Sequence, residues 1–154
     1  MECATYKDIN ELLNLRIEQQ KEDWNKDYQD VDNFKSRTET FLIQHLNKDI
    51  FILIKRIDYR IIATCGLQLF NSLPQCNDQG KIGIICNVYT NKLYRNKGIQ
   101  TCLLKEVIIV ANEHHLNEIL LSSNNNQAIS IYQKLSFKKS NMIMRLDLKS
   151  ISKN

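Results

Sequence analysis

The chain has 154 residues, 43% apolar and 25% charged, with 21 basic against 17 acidic residues and a formal net charge of +4. That length matches one ordinary domain of about 100–150 residues, able to bury a core without disulfide or metal staples. The near balance of charge excludes a basic nucleic-acid arm and an acidic disordered tail, while 4 glycines and 1 proline exclude collagen-like, linker-rich and glycine-repeat architectures.

From Thr5 onward, Ile9, Leu12, Leu13, Leu15 and Ile17 give a mostly 3.6-residue apolar stripe and predict a helix. Residues 22–32 interrupt it with Glu22, Asp23, Asp27, Asp30 and Asp32. A second helix is expected from about Asn33 to Asn47, with Phe34, Phe41, Leu42 and Leu46 inward and Asp32 or Asn33 as cap. Asp49 to Arg56 and Arg60 to Phe70 are β-rich, and the short link Ile57-Asp58-Tyr59 predicts an antiparallel hairpin. Asn71 to Gly80, with Pro74, is a loop, and Lys81 to Thr90 is a third strand. Ile99, Leu103, Leu104, Val107, Ile108 and Ala111 form an amphipathic helix ending near His114-His115. A short buried strand over Asn117 to Ser122, a helix over Asn125 to Leu135, and an antiparallel pair at Phe137–Lys139 and Asn141–Leu148 complete the reading. The fold class is therefore α/β in the α+β sense: one domain over 1–148 with a mixed, mostly antiparallel sheet and flanking helices, then a frayed tail at 149–154.

Cys3, Cys65, Cys76, Cys86 and Cys102 are odd in number and form no C-x-x-C pair, against both a disulfide framework and a zinc site. Reduced thiols, no basic-then-apolar start, and no run near the ~18 apolar residues of a membrane helix lead to the expectation of a soluble cytoplasmic protein. His114 and His115 are adjacent and cannot share a helix face as metal ligands do, so no metal site is expected. No basic and aromatic interleaving suggests nucleic acid.

The segment from Asn87 to Thr101 carries the chemistry. A strand ends, a short basic loop follows, and an amphipathic helix begins. Amides at a helix start lack intrahelical partners and sit at the positive end of the macrodipole, which makes an anion site. Arg95 and Lys97 add charge there, and Gly98 permits close backbone approach.

This segment, Arg95-Asn96-Lys97-Gly98-Ile99-Gln100, resembles the acyl-CoA loop of the GCN5-related N-acetyltransferase family, whose pattern is Arg/Gln-x-x-Gly-x-Gly/Ala after a strand. Asn125 to Phe137, with Ala128 and Tyr132-Gln133-Lys134-Leu135-Ser136-Phe137, resembles that family's second signature. Gln100 and Ser136 depart from it by replacing small or glycine residues. The resemblance implies acetyl transfer from acetyl-CoA to a small-molecule or peptide amine by direct attack in a ternary complex. It further implies that backbone groups of Val88, Tyr89 and Thr90 pair with pantetheine between splayed strands that end near Thr90 and Ser122. Amides of Asn96, Lys97, Gly98, Ile99, Gln100 and Thr101 hold the pyrophosphate beside Arg95, with the Gln100 side chain pointing outward. Asn125 bonds pantetheine and caps its helix, and Tyr132 is the general acid. Asn87 positions a water or the amine. No carboxylate lies in Lys81 to Tyr89, so the base stays open between Glu22, Asp23, the rest of the acidic segment, and water. That segment either draws in a cationic amine or is a solvated helix end. The alternative function is a non-catalytic CoA-binding or sensor module, and the assembly stays open between monomer and homodimer.

Overall fold

Alternation along Ile50-Phe51-Ile52-Leu53-Ile54 buries both faces of one strand, so helices must cover the sheet on both sides. The computed structural model describes residues 1–24, 30–74, 76 and 78–140. They fall into two compact units that divide between Ser122 and Ser123.

The first unit holds a five-stranded sheet in the order β1 (Glu2–Cys3), β2 (Ile50–Ile57), β3 (Arg60–Asn71), β4 (Lys81–Thr90) and β5 (Glu118–Leu120). All neighbours are antiparallel except β4 and β5, which run parallel. The helices are α1 (Ile9–Trp24), α2 (Val31–His45) and α3 (Ile99–Glu113). Ile50, Ile52 and Ile54 share one core with Ile9, Leu12, Leu13 and Leu15 of α1 and Leu42 of α2. Phe51 points to the opposite face, where its ring meets His114 at the end of α3 at 4.6 Å. Leu103, Leu104 and Val107 of α3 are fully buried. Arg56 of β2 makes ion pairs to Glu2 of β1 (2.6 Å) and, tying the start of α1 to the sheet, to Asp8 (2.5 Å) and Glu11 (3.2 Å). Among the described residues, no helix is long and apolar enough to cross a membrane.

The sequence reading places most elements within two residues, with several corrections. A one-turn 3-10 helix, Tyr6–Asp8, precedes α1. The second helix starts at Val31 because Asp30, not Asp32 or Asn33, caps it by accepting from the Asn33 N–H at 3.2 Å. The hairpin between β2 and β3 turns on two residues, Asp58 and Tyr59, both at positive φ, the geometry whose twist suits a two-residue hairpin. The edge strand β1 is too short to leave an alternation signal, and β5 is half-buried rather than buried.

The second unit contains α4 (Asn126–Lys134), one residue inside the expected span at each end. Phe137–Lys139 follows a turn at Leu135 and Ser136 and carries no strand assignment, and its expected partner lies beyond the described residues. The expected strand at Asn141–Leu148 lies outside the described residues, as does the tail at 149–154.

Candidate active site

The loop after β4 is built from short-range polar caps. Asn91 accepts from the Leu93 N–H at 3.1 Å and opens a single 3-10 turn, Lys92–Tyr94. Arg95 is extended, Asn96 stands at φ 61°, and Gly98 at φ 73° opens α3. The first helical bond runs from the Cys102 N–H to the Gly98 carbonyl at 3.1 Å. The N–H groups of Ile99, Gln100 and Thr101 therefore have no carbonyl behind them in the helix, no side chain caps them, and no carboxylate lies in that turn. A Cβ added at Gly98 would meet nothing within 4 Å. Amides, dipole and open space coincide, which is the physical requirement for holding an anion.

Two predicted contributors are oriented differently from expectation. Arg95 does not present a free charge to the loop. Its Nε donates to the Thr90 carbonyl at 2.8 Å, its Nη2 to Glu22 at 2.5 Å, and its guanidinium lies 5.7 Å from the Tyr89 ring centroid. Gln100 points inward instead of outward, because its Nε2 finds the Tyr89 carbonyl (2.6 Å), Thr90 Oγ1 (2.9 Å) and the Thr64 carbonyl (3.0 Å) across the sheet. Its backbone amide stays in the first turn. Lys97 sits 5.2 Å over the Tyr94 ring.

The end of β4 is distorted where the loop begins. Thr64 pairs with Tyr89 and Gly66 with Cys86, so Asn87 and Val88 together oppose Cys65 in a bulge. Asn87 stands at φ 49°. The displaced carbonyls find side-chain donors: Thr64 Oγ1 reaches Asn87 at 2.8 Å and Gln19 Nε2 reaches Val88 at 3.0 Å. Arg16 in turn donates to Gln19 Oε1 at 2.8 Å. Pairing of β4 with β5 ends at Ile84 and Leu120, so Ile85 to Thr90 continue beyond the last β5 partner. The splay expected between strands ending near Thr90 and Ser122 thus opens after Ile84, with β4 ending at Thr90 and β5 at Leu120.

Glu22 closes this end of the sheet. It accepts from Tyr89 Oη at 2.9 Å and from Arg95, with Lys92 Nζ at 3.8 Å. Burial pushes its carboxyl up, but the Arg95 and Tyr89 hydrogen bonds and the charges of Arg95 and Lys92 outweigh that and hold it below the ordinary carboxylate value. The Tyr89 hydroxyl is raised by burial and by Glu22, with Glu18 at 3.3 Å adding to the effect. Glu22 is therefore an ionised clamp between α1 and the loop rather than a group poised to take a proton. Sequence reasoning missed Gln19 and Thr64. The available signal for Gln19 was its place one helical turn beyond Leu15 on the buried stripe of α1.

On the α1–α2 side of the sheet a cavity of about 340 Å³ opens, its sheet wall including Cys86 and Asn87 and its helical wall including Arg16, Phe34, Arg37 and Phe41. Among the described residues, no group of His, Cys, Asp and Glu could hold a metal ion.

In the second unit Asn125 caps α4, its Oδ1 accepting from the Ala128 N–H at 3.1 Å, which leaves its amide nitrogen for other bonds. The Tyr132 ring meets Phe137 edge-on at 5.9 Å, and the Phe137 N–H donates to the Tyr132 carbonyl at 3.0 Å. Ser136, at φ 70°, makes that return possible.

Residues 9–137 match the family model described as the acetyltransferase (GNAT) family. Among solved structures, a predicted acetyltransferase with acetyl-CoA from Clostridium acetobutylicum is similar, with 25% identity, 97% of this chain and 96% of that one covered, and a TM-score of 0.84. A GCN5-related N-acetyltransferase from Ralstonia eutropha has 16% identity, coverage of 95% and 96%, and a TM-score of 0.80. Glucosamine-6-phosphate N-acetyltransferase from Arabidopsis thaliana has 13% identity, 96% coverage of both chains and a TM-score of 0.72. The last two show likeness of fold alone. No curated protein matches the sequence.

Proposed function

Since the chain belongs to the GNAT family of acetyltransferases, we propose that it moves an acetyl group from acetyl-CoA to a primary amine by direct attack within a ternary complex. The observation that carries this reading is the start of α3, where uncapped amides face open space at Gly98, just after the part of β4 that runs beyond its last β5 partner. That arrangement fits a pyrophosphate followed by an extended amide-bearing arm. Acetyl-CoA supplies the activated thioester carbon.

The chain's own groups then have distinct tasks. Amides from Asn96 to Thr101 hold the diphosphate, while Arg95 acts from behind by fixing the loop to Glu22 and Thr90. The backbone from Val88 to Thr90 and the Asn125 amide engage the pantetheine arm. A backbone N–H near Val88 meets the charge that develops on the carbonyl oxygen, an interaction worth about 2.7–4 kcal/mol when preorganised. The Tyr132 hydroxyl donates the proton that the departing thiolate accepts. Water takes the amine proton, with Asn87 as its guide, because Glu22 is committed to Arg95 and Tyr89.

Measuring thiol release from acetyl-CoA over a panel of amines tests the activity. Tyr132→Phe is expected to lower turnover about 10²–10⁴-fold with CoA affinity unchanged. Normal turnover in that variant removes Tyr132 as the acid. The engaged state of Glu22 favours a second reading, a CoA-binding module without a base. It is supported if CoA binds and no amine is acetylated.

A further inference from the structure

The cavity between α1, α2 and the sheet ends on the same bulge of β4 that the proposed chemistry uses, since Cys86 and Asn87 form part of its wall. At about 340 Å³ it is the size of a small-molecule site. Among the described residues its lining offers a polycationic acceptor no carboxylate. It includes two guanidinium groups, Arg16 and Arg37. Glu22, the acidic candidate from the sequence, is turned to Arg95, Lys92 and Tyr89 instead.

The two arginines enter from different helices. Arg16 is held in position by Gln19, which is itself anchored to the Val88 carbonyl of the bulge. Arg37 lies on α2 between Phe34 and Phe41, at the i, i+3, i+7 spacing of one helix face. Arg37 is exposed where it borders the cavity, while Phe34 and Phe41 on either side are half-buried. Among the described residues Arg37 makes no side-chain hydrogen bond or ion pair. Phe34 and Phe41 flank it with apolar surface.

Resting on the acetyl-transfer reading, we infer that this cavity is the acceptor site and selects a small primary amine bearing an anionic group, carboxylate or phosphate, beside an apolar body. The Arg37 guanidinium takes the anion, the phenylalanine rings take the body, and the amine turns toward Asn87. Planar N–H forks suit two-oxygen anions, which an ammonium group would not match as well.

The test compares matched acceptors: each natural amino acid with its decarboxylated amine, O-phosphoethanolamine with ethanolamine, and spermidine as a polycation. The carboxylate and phosphate arms separate the two anion sources. The expected result is a kcat/KM at least about tenfold higher for the anionic member of a productive pair. Arg37→Gln should erase that preference through KM, by about tenfold to a hundredfold, with kcat and CoA affinity nearly unchanged, and Arg37→Lys should restore part of it. Better turnover of spermidine or of the decarboxylated amines overturns the inference, as does a preference that survives Arg37→Gln. Calorimetric titration of the same compounds into CoA-saturated protein separates the two readings. Binding of the anionic members that Arg37→Gln abolishes, without turnover, supports the site while defeating catalysis. No binding by any anionic member overturns the site.

Discussion

Replacing Gln100 by alanine tests whether this residue ties the cofactor loop to the sheet or serves the ligand itself. Its amide has two hydrogens and three acceptors in reach, two of them backbone carbonyls, Tyr89 at 2.6 Å and Thr64 at 3.0 Å. Only the nitrogen can face carbonyl oxygens, so the amide orientation is fixed. The consequence is that Oε1 is buried with no partner among the described residues. Truncation removes two hydrogen bonds worth about 1 kcal/mol each and bares buried carbonyls, while relief of the orphaned oxygen offsets about 1 kcal/mol. The net loss is about 1–2 kcal/mol, which for a chain of this length lowers Tm by about 2–8 °C. Gln100→Glu should be worse than alanine, since it brings carboxylate oxygens against two carbonyls. Calorimetric melting measures stability, and titration with CoA measures affinity. An unchanged Tm together with weakened CoA binding would refute the inward lock and return the Gln100 side chain to the ligand.

Gly98→Ala should lose about 1–2 kcal/mol because an L-residue resists φ 73°, and its new methyl group should weaken CoA binding in titration. Gly98→Asn should recover the melting temperature but not the affinity; full CoA affinity in both variants would show that the open space is not used. For Glu22→Gln, the folded carboxyl titrates below its ordinary value of 4.5, so its contribution is complete above that value and disappears as pH falls through the lower folded one. The melting-temperature gap between wild type and variant should therefore be full near neutrality and close in acid, and a gap unchanged at low pH contradicts the clamp. Ser136→Gly relieves about 1–2 kcal/mol of left-handed strain and adds about 0.5–1 kcal/mol of unfolded-chain freedom. A modest rise in urea midpoint at constant m is expected; a fall would show that Ser136 makes a compensating bond.

Elements with a strong period were readable from the chain alone. The stripe from Ile99 to Ala111 and the run from Lys81 to Thr90 gave their bounds closely, because burial on a defined face imposes that spacing. The edge strand Glu2–Cys3 was not readable, since two residues cannot display alternation and its pairing with Leu53 and Ile54 is 50 residues distant. The strand–loop–helix join with uncapped amides was legible because it is a local property of the chain. The uses of Arg95 and Gln100 were not, since each depends on a partner brought across the fold: Glu22 from α1 and Thr64 from β3. The same reason hid the acceptor cavity. Arg16 and Arg37 lie 21 positions apart, on two helices whose packing no local pattern encodes.

The scarcity of glycine makes the role of Gly98 arguable on steric grounds. Among the described residues, seven positions other than glycine have positive φ, including Asn47, Asn87 and Asn96, so this chain meets a left-handed requirement with asparagine in several places. Gly80 differs for a packing reason, because a Cβ there would stand 2.4 Å from the Ser72 carbonyl oxygen. Gly98 shares the left-handed requirement that asparagine meets elsewhere, but not the packing one. Its φ of 73° is close to that of Asn96 two residues earlier, and nothing in the fold occupies the space where its Cβ would stand. What distinguishes the position is that this space lies at the start of α3, over amides with no partner inside the helix. A side chain at Gly98 would cost the protein little in packing but would project beside those donors, so the absence of a side chain there matters for what approaches the helix from outside.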